Sequence, residues 1–255
     1  MNKNLLQRIV ALYAIALLSG CSTATKIKSV ETSSIEFNTQ NTGVDSTTYK
    51  LIAPYKAEMD KTMNEVLVVA DSALTKDLPE GSLGDFVADA VLKKTNDRYQ
   101  PADHIPAAIC VLNNGGLRAQ LPKGNITRRN AFELMPFENS IVILTLSGEK
   151  TKQMFQWLVN MNGAPFAGAT VKSKAVKQIT ELMINGQPFD AAKNYKIVTS
   201  DYLAGGGDLY NFFKDPVKID TLNYKLRDAI IDYMIEQNKK GITLKSKKDG
   251  RIKFE

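Results

Sequence analysis

The chain holds a single histidine, His104, and two cysteines, Cys21 and Cys110, among 255 residues. A two-metal hydrolytic centre draws on several imidazoles together with carboxylates, because borderline metals prefer neutral nitrogen ligands. One histidine cannot supply that set, nor a zinc site of two Cys and two His. Two cysteines are too few for a disulfide framework. Long hydrophobic runs are missing as well: the apolar stretch Ile9–Leu18 is too short to span a bilayer. Although the formal net charge is +6, there is no stripe of Lys and Arg with interleaved aromatics, so nucleic acid is not an expected partner. With 44% hydrophobic and 24% charged residues, the chain is neither disordered nor collagen-like in composition.

What is present begins with an export pattern. Lys3 and Arg8 supply a positive segment, Ile9–Leu18 an apolar segment of secretory length, and Leu18-Ser19-Gly20-Cys21 small residues before a cysteine. Residues 1–20 therefore read as a signal peptide. The last four residues resemble a bacterial lipobox, which implies lipidation of Cys21 and anchoring to the bacterial envelope, on the periplasmic side or the cell surface. Removing residues 1–20 takes away Lys3 and Arg8 and no acid, so the formal net charge falls from +6 to +4. Residues 21–45 are rich in Ser, Thr and Asn and read as a tether, with one short strand expected at Ser34–Phe37. Residues 46–255 are long enough to bury one substantial core. Cys110 lies in the apolar run Ala107–Leu112 and reads as a small core hydrophobe.

Within that domain, Lys50–Met63 carries apolar residues at helical spacing and Val66–Ala70 reads as a strand. Ser82 is placed to cap a helix, with Asp85 in its first turn and Phe86, Ala90 and Leu92 on the buried side. Ala107–Leu112 and Ile141–Leu146 read as buried strands. Ser147 caps a helix through Met161, with Met154, Trp157, Leu158 and Met161 along one face. Asn185-Gly186 marks a hairpin, since both turn positions need positive φ. Tyr195–Ser200 is a strand leading into a glycine loop, and Leu222–Gln237 a helix with Leu226, Ile230, Tyr233 and Met234 facing in. Intermixed helices and strands with a hairpin predict an α/β (α+β) fold, a mixed β-sheet with covering helices.

Three segments carry polar groups suited to chemistry. Asn113-Asn114-Gly115-Gly116-Leu117-Arg118 follows a buried strand. Paired glycines let the backbone approach a ligand, and Arg118 offers a planar cation for oxygen ligands; a tight turn and a surface Arg account for it equally. In Leu134-Met135-Pro136-Phe137-Glu138-Asn139, Pro136 stiffens the approach, while Phe137 either packs in the core, the commoner outcome, or presents its ring to a flat ligand. Asp201-Tyr202-Leu203-Ala204-Gly205-Gly206-Gly207-Asp208 is no phosphate-binding loop, which ends in Lys-Ser/Thr on a helix, and no dinucleotide fingerprint. Gly205, Gly206 and Gly207 form either a turn or a pocket between a ring that can stack and a carboxylate that can accept from hydroxyls. His104, in the Pro101–Pro106 loop, reads as an exposed residue.

In this order and spacing the three segments resemble the C-terminal domain of the 5′-nucleotidase family. The likeness extends to Leu83-Gly84-Asp85-Phe86-Val87-Ala88-Asp89-Ala90, to Ser140–Gly148 and to the closing Asp249-Gly250-Arg251-Ile252, and covers about residues 46–255. It implies that Phe137 and Tyr202 sandwich a nucleobase, Asp208 holds ribose hydroxyls, and Asn139 contacts the base. It further implies that Asn113 and Arg118 face the nucleotide, Arg118 toward phosphate. The chain departs from the family pattern in three places: Asn114 opens the glycine turn, one stacking ring is Tyr202 rather than Phe, and Thr75-Lys76-Asp77-Leu78 lacks an Arg. In the family this domain follows a metallophosphatase domain with two metals and a catalytic Asp/His pair. No Asp-x-His or Gly-Asn-His motif occurs in these 255 residues. The resemblance therefore implies a nucleotide-recognition part of a 5′-nucleotidase-type hydrolase with no catalytic residue, cofactor or metal of its own. Divalent metals would sit on a separately encoded metallophosphatase partner. The alternative is a lipid-anchored nucleoside-binding module with no enzymatic partner.

Overall fold

The computed structural model of the chain describes residues 29–30, 32–34, 45–175 and 177–255. Cys21, the signal segment and all but the first residue of the strand expected at Ser34–Phe37 lie outside the described residues. The chain divides into two units, residues 1–51 and 52–255. The elements in order are α1 (Ser46–Met63), β1 (Val66–Ala70), α2 (Ser82–Arg98), β2 (Ile109–Val111), β3 (Gly124–Thr127), α3 (Arg128–Leu134), β4 (Ser140–Leu146) and α4 (Gly148–Asn160). There follow β5 (Phe166–Ala167), β6 (Ala169–Ser173), β7 (Ile179–Ile184), β8 (Gln187–Pro188), β9 (Tyr195–Ser200), α5 (Asp201–Ala204), β10 (Lys218–Lys225), α6 (Leu226–Lys239) and β11 (Ile252–Phe254).

A five-stranded mixed sheet runs in the order β10-β4-β9-β2-β5. Only β2 and β9 are parallel within it; its other neighbours are antiparallel. Both faces are covered, and the strand residues alternate between two cores. Ile141 and Ile143 of β4 and Cys110 of β2 join one core, with Leu83, Val87 and Val91 of α2 and Ile230 and Met234 of α6. Val142, Leu144 and Leu146, with Ile109 and Val111, join the other, against Met154, Phe155 and Leu158 of α4. A sheet buried on both faces makes its strands near-continuous apolar runs, which is why Ala107–Leu112 and Ile141–Leu146 stand out in the sequence.

The mixed sheet with covering helices is the expected fold, joined by two smaller sheets, β1-β3 and β11-β6-β7-β8. Asn185 (φ 49°) and Gly186 (φ 75°) form the hairpin turn between β7 and β8. Ser147 accepts from the Lys150 N–H and caps α4 as expected.

Four local expectations are corrected. Gly81, not Ser82, is the N-cap of α2; Ser82 is its first residue and its Oγ accepts from the Thr75 N–H at 3.1 Å. Beside Ala90, that helix buries Leu83, Val87 and Val91, while Phe86 and Leu92 are only half-buried. In α4 the buried stripe is Met154, Phe155, Leu158 and Val159; Met161 is exposed. The last helix begins at Leu226, because Leu222–Lys225 belong to β10. Leu222 and Leu226, four apart, mimic a helical stripe, yet the backbone ahead of them pairs with β4, Thr221 beside Val142.

Candidate functional site

Strand directions bring the three singled-out segments together. β2 and β9 are parallel, Ile109 beside Ile197 and Cys110 beside Val198, so the segments leaving them emerge at the same sheet edge. β4 runs antiparallel to β9, Ile141 beside Ser200, so the segment leading into β4 arrives there too. β10 runs antiparallel to β4, Lys225 beside Ser140, and delivers the start of α6 to that edge. The crevice outside the carboxyl ends of parallel strands is where open α/β sheets take ligands.

A cavity of about 330 Å³ opens there, lined by Asn113, Gly115, Gly116, Arg118, Phe137, Asn139, Tyr202 and Asp208. All six side chains singled out in the sequence line it, together with two of the loop glycines. Phe137 is 39% exposed and Tyr202 49%, so both rings border the cavity instead of packing in a core. Gly205, Gly206 and Gly207 do not line it; they shape the loop beneath. Gly206 takes φ 90°. A Cβ on Gly207 would fall 2.5–2.7 Å from the Tyr202 ring, so only glycine lets that ring lie against the loop.

Asp208 is the hub of the polar network. Its backbone is left-handed at φ 50°, which Asp tolerates. Tyr202 Oη donates to its Oδ1 at 2.8 Å and Asn113 Nδ2 to its Oδ2 at 2.5 Å. The bond to Asp208 holds the Tyr202 hydroxyl above the usual phenol range, so it remains a donor at neutral pH. Arg118 is exposed; its Nη1 donates to Gly115 O at 3.3 Å and its backbone N–H to Leu134 O at 2.8 Å.

Several supporting residues escaped the sequence reading. The buried Arg227 of α6 donates from Nη1 to the carbonyl oxygens of Met135 (3.3 Å) and Phe137 (3.4 Å), and its Nη2 bonds Glu138. Lys225 Nζ donates to Glu138 O at 2.8 Å. Lys76 Nζ donates to Asn114 O and Leu117 O, each at 3.1 Å, and so braces the glycine turn from the stretch that lacks an Arg. Under the cavity, the buried Tyr210 hydroxyl donates to Leu112 O at 3.0 Å and Thr199 Oγ1 to Val111 O at 2.8 Å. No local pattern announces these contacts, since most join residues some 40 to 100 positions apart.

The residues present do not fit a two-metal centre of the histidine-rich kind. His104 is exposed, in the loop preceding β2 and so at the opposite end of that strand from the cavity. Among the described residues, one group of three carboxylates, Glu80, Asp85 and Asp249, brings an oxygen from each within 4.8 Å of the others. Arg251 already supplies a cation there. Its Nε and Nη2 donate to the two oxygens of Asp249 (3.0 and 2.8 Å), Nη1 and Nη2 to those of Asp89 (both 3.0 Å), and Nε lies 3.3 Å from Asp85 Oδ1. Burial pushes the Asp85 carboxyl up to about 8, against the pull of Arg251.

The sequence and the fold are similar to those of known proteins. A family profile described as 5′-nucleotidase, C-terminal domain, matches residues 60–215. The trifunctional nucleotide phosphoesterase protein YfkN of Bacillus subtilis is 30% identical over 222 residues, 78% of this chain and 14% of the relative. The NAD 5′-nucleotidase of Haemophilus influenzae is 27% identical over 223 residues, 72% of this chain and 35% of the relative. A 5′-nucleotidase precursor from Thermus thermophilus has a similar fold, with a TM-score of 0.67 at 21% identity, over 84% of this chain and 44% of that one. This chain thus spans less than half the length of each of these proteins. From the profile match and the fold together, the chain belongs to the 5′-nucleotidase C-terminal domain family.

Proposed function

We propose that this chain is a nucleotide-recognition domain acting in 5′-nucleotidase-type hydrolysis. The observation that carries the reading is the convergence of Phe137, Tyr202, Asp208, Asn113, Asn139 and Arg118, from three distant segments, on one cavity. A base between the Phe137 and Tyr202 rings gains about 1–3 kcal/mol per stack. Asp208, an exposed carboxylate, accepts from ribose hydroxyls. Arg118, with an exposed guanidinium, reaches phosphate oxygens. Asn113 and Asn139 offer amide donors and acceptors to the nucleotide, Asn139 to the base edge.

The hydroxyl–carboxylate pair in the cavity, Tyr202 Oη on Asp208 Oδ1, we assign to ligand binding, so in this reading the domain binds and orients. Phosphate-ester cleavage then requires a metal centre supplied from outside these residues, by a metallophosphatase partner that we place on a separate chain. Divalent metals there would polarise the phosphate and activate water. Isothermal calorimetry with adenosine and 5′-AMP tests recognition: saturable binding is expected, weakened in Phe137→Ala. Phosphate release from 5′-AMP is expected only when a metallophosphatase domain and a divalent metal are added. Robust release by the purified chain alone would overturn the division of labour. Repeated isolation from native cells without any metallophosphatase would favour the binding module lacking an enzymatic partner.

We further propose export and lipid attachment through Cys21, supported by the Leu18-Ser19-Gly20-Cys21 pattern. Mass spectrometry of the protein from its native envelope should find an N-terminal diacylated Cys21; an unmodified Met1 terminus would refute it.

A further inference from the structure

We propose that the Tyr202 hydroxyl sets ligand specificity by competing with a ligand's vicinal hydroxyls for the Asp208 carboxylate. The inference rests on the nucleoside reading above and asks what one atom of this site does to it. Both Asp208 oxygens already accept a bond within the protein, Oδ1 from Tyr202 Oη at 2.8 Å and Oδ2 from Asn113 Nδ2 at 2.5 Å. A ribose diol presents two O–H donors to that same carboxylate, so it meets a site that is partly satisfied before it arrives.

Packing keeps the competitor in place. The nearest Tyr202 atoms to a Cβ built on Gly207 are Cζ, Cε1 and Cε2, at 2.5–2.7 Å. The hydroxyl end of the ring is thus seated on the loop that carries Asp208. Through its bond to Asp208 the hydroxyl also stays protonated, and hence a donor, at neutral and mildly alkaline pH. A phenylalanine would keep the ring and its seat on Gly207 but leave Oδ1 free. Tyrosine therefore lowers the gain from a diol without touching the stacking face. Its consequence is weaker discrimination between ribonucleosides and their dideoxy counterparts.

The test titrates adenosine and 2′,3′-dideoxyadenosine into the wild-type chain and into Tyr202→Phe by calorimetry. Tyr202→Phe should bind adenosine about three- to tenfold more tightly, the scale of one net hydrogen bond. The adenosine-to-dideoxyadenosine ratio should rise, since any change in ring stacking acts on both ligands alike. A ratio that is unchanged or falls overturns the inference while leaving nucleoside binding intact. Absence of binding by either ligand to either protein instead overturns the nucleoside reading, and the inference with it. Asp208→Ala, which removes both acceptor oxygens, separates packing from competition: in that background Tyr202→Phe should no longer change the ratio, and a persisting change would assign the effect to ring packing.

Discussion

The guanidinium of Arg227 donates to the carbonyl oxygen of Phe137 at 3.4 Å, across ninety residues of sequence. Arg227 is 6% exposed and lies 4.0 Å over the Phe132 ring, whereas Phe137 is open to the cavity. A buried cation thus sets the backbone of an exposed ring. Removing it leaves the Met135 and Phe137 carbonyls without that donor. Arg227→Met should lower unfolding free energy by about 1–3 kcal/mol, the cost of lost hydrogen bonds to a charged group. It should also blunt nucleoside affinity. Urea titration and calorimetry on the same protein check both; unchanged affinity would show that the loop needs no such support.

Phe137 itself should behave oppositely. Its ring is largely outside the core, so Phe137→Ala is expected to change stability by no more than about 0.5 kcal/mol, as for ordinary surface positions. Nucleoside affinity should fall by about 1–3 kcal/mol if the ring stacks on a base. Equal affinity for wild type and variant would remove Phe137 from the site.

Asp85 should make stability depend on pH. No donor reaches its Oδ2. Burial pushes the group up to about 8, with Glu80 adding to the rise. The folded chain therefore holds this proton more tightly than the unfolded chain. Its contribution is fully present below the ordinary carboxylate range, near pH 4, and is lost as pH rises toward about 8. The slope should approach about 1 kcal/mol per pH unit within that window. In Asp85→Asn, which keeps the shape and a donor, urea midpoints at pH 5 and pH 8 should differ less than in the wild type; an identical pH dependence would assign it to other groups.

Cys110 should be inert in the native protein. It is fully buried in β2 and its thiol is pushed well above the usual range by burial. Alkylation with iodoacetamide followed by peptide mapping should leave Cys110 unmodified in buffer and label it in denaturant. Labelling under native conditions would show that β2 opens.

Some of this was legible residue by residue. Ser147, Asn185-Gly186 and the strand Tyr195–Ser200 rest on local chemistry: a capping oxygen, two positive φ angles and a β-branched apolar run. Leu222–Lys225 was not, since a short apolar spacing fits strand or helix until a partner strand is present. Phe137 illustrates the site. Its neighbours favoured core packing over a binding face, and only the likeness to the 5′-nucleotidase C-terminal domain singled out the exposed role. Arg227 and Lys76 were invisible, because each acts on a loop far along the chain.

By itself, then, the sequence determined the classes that one histidine excludes, the apolar runs that become a sheet buried on both faces, and the motifs that mark the family. Those depend on composition and short-range periodicity, which the chain carries locally. The likeness implied that loops 113–118, 135–139 and 201–208 meet one ligand, and the tertiary structure decided how they reach one cavity. The reason is strand direction: β2 and β9 are parallel and β4 is antiparallel to β9, so two chain exits and one chain arrival meet at a single edge. The same convergence put the Tyr202 hydroxyl on Asp208 together with Asn113, ninety-five residues away.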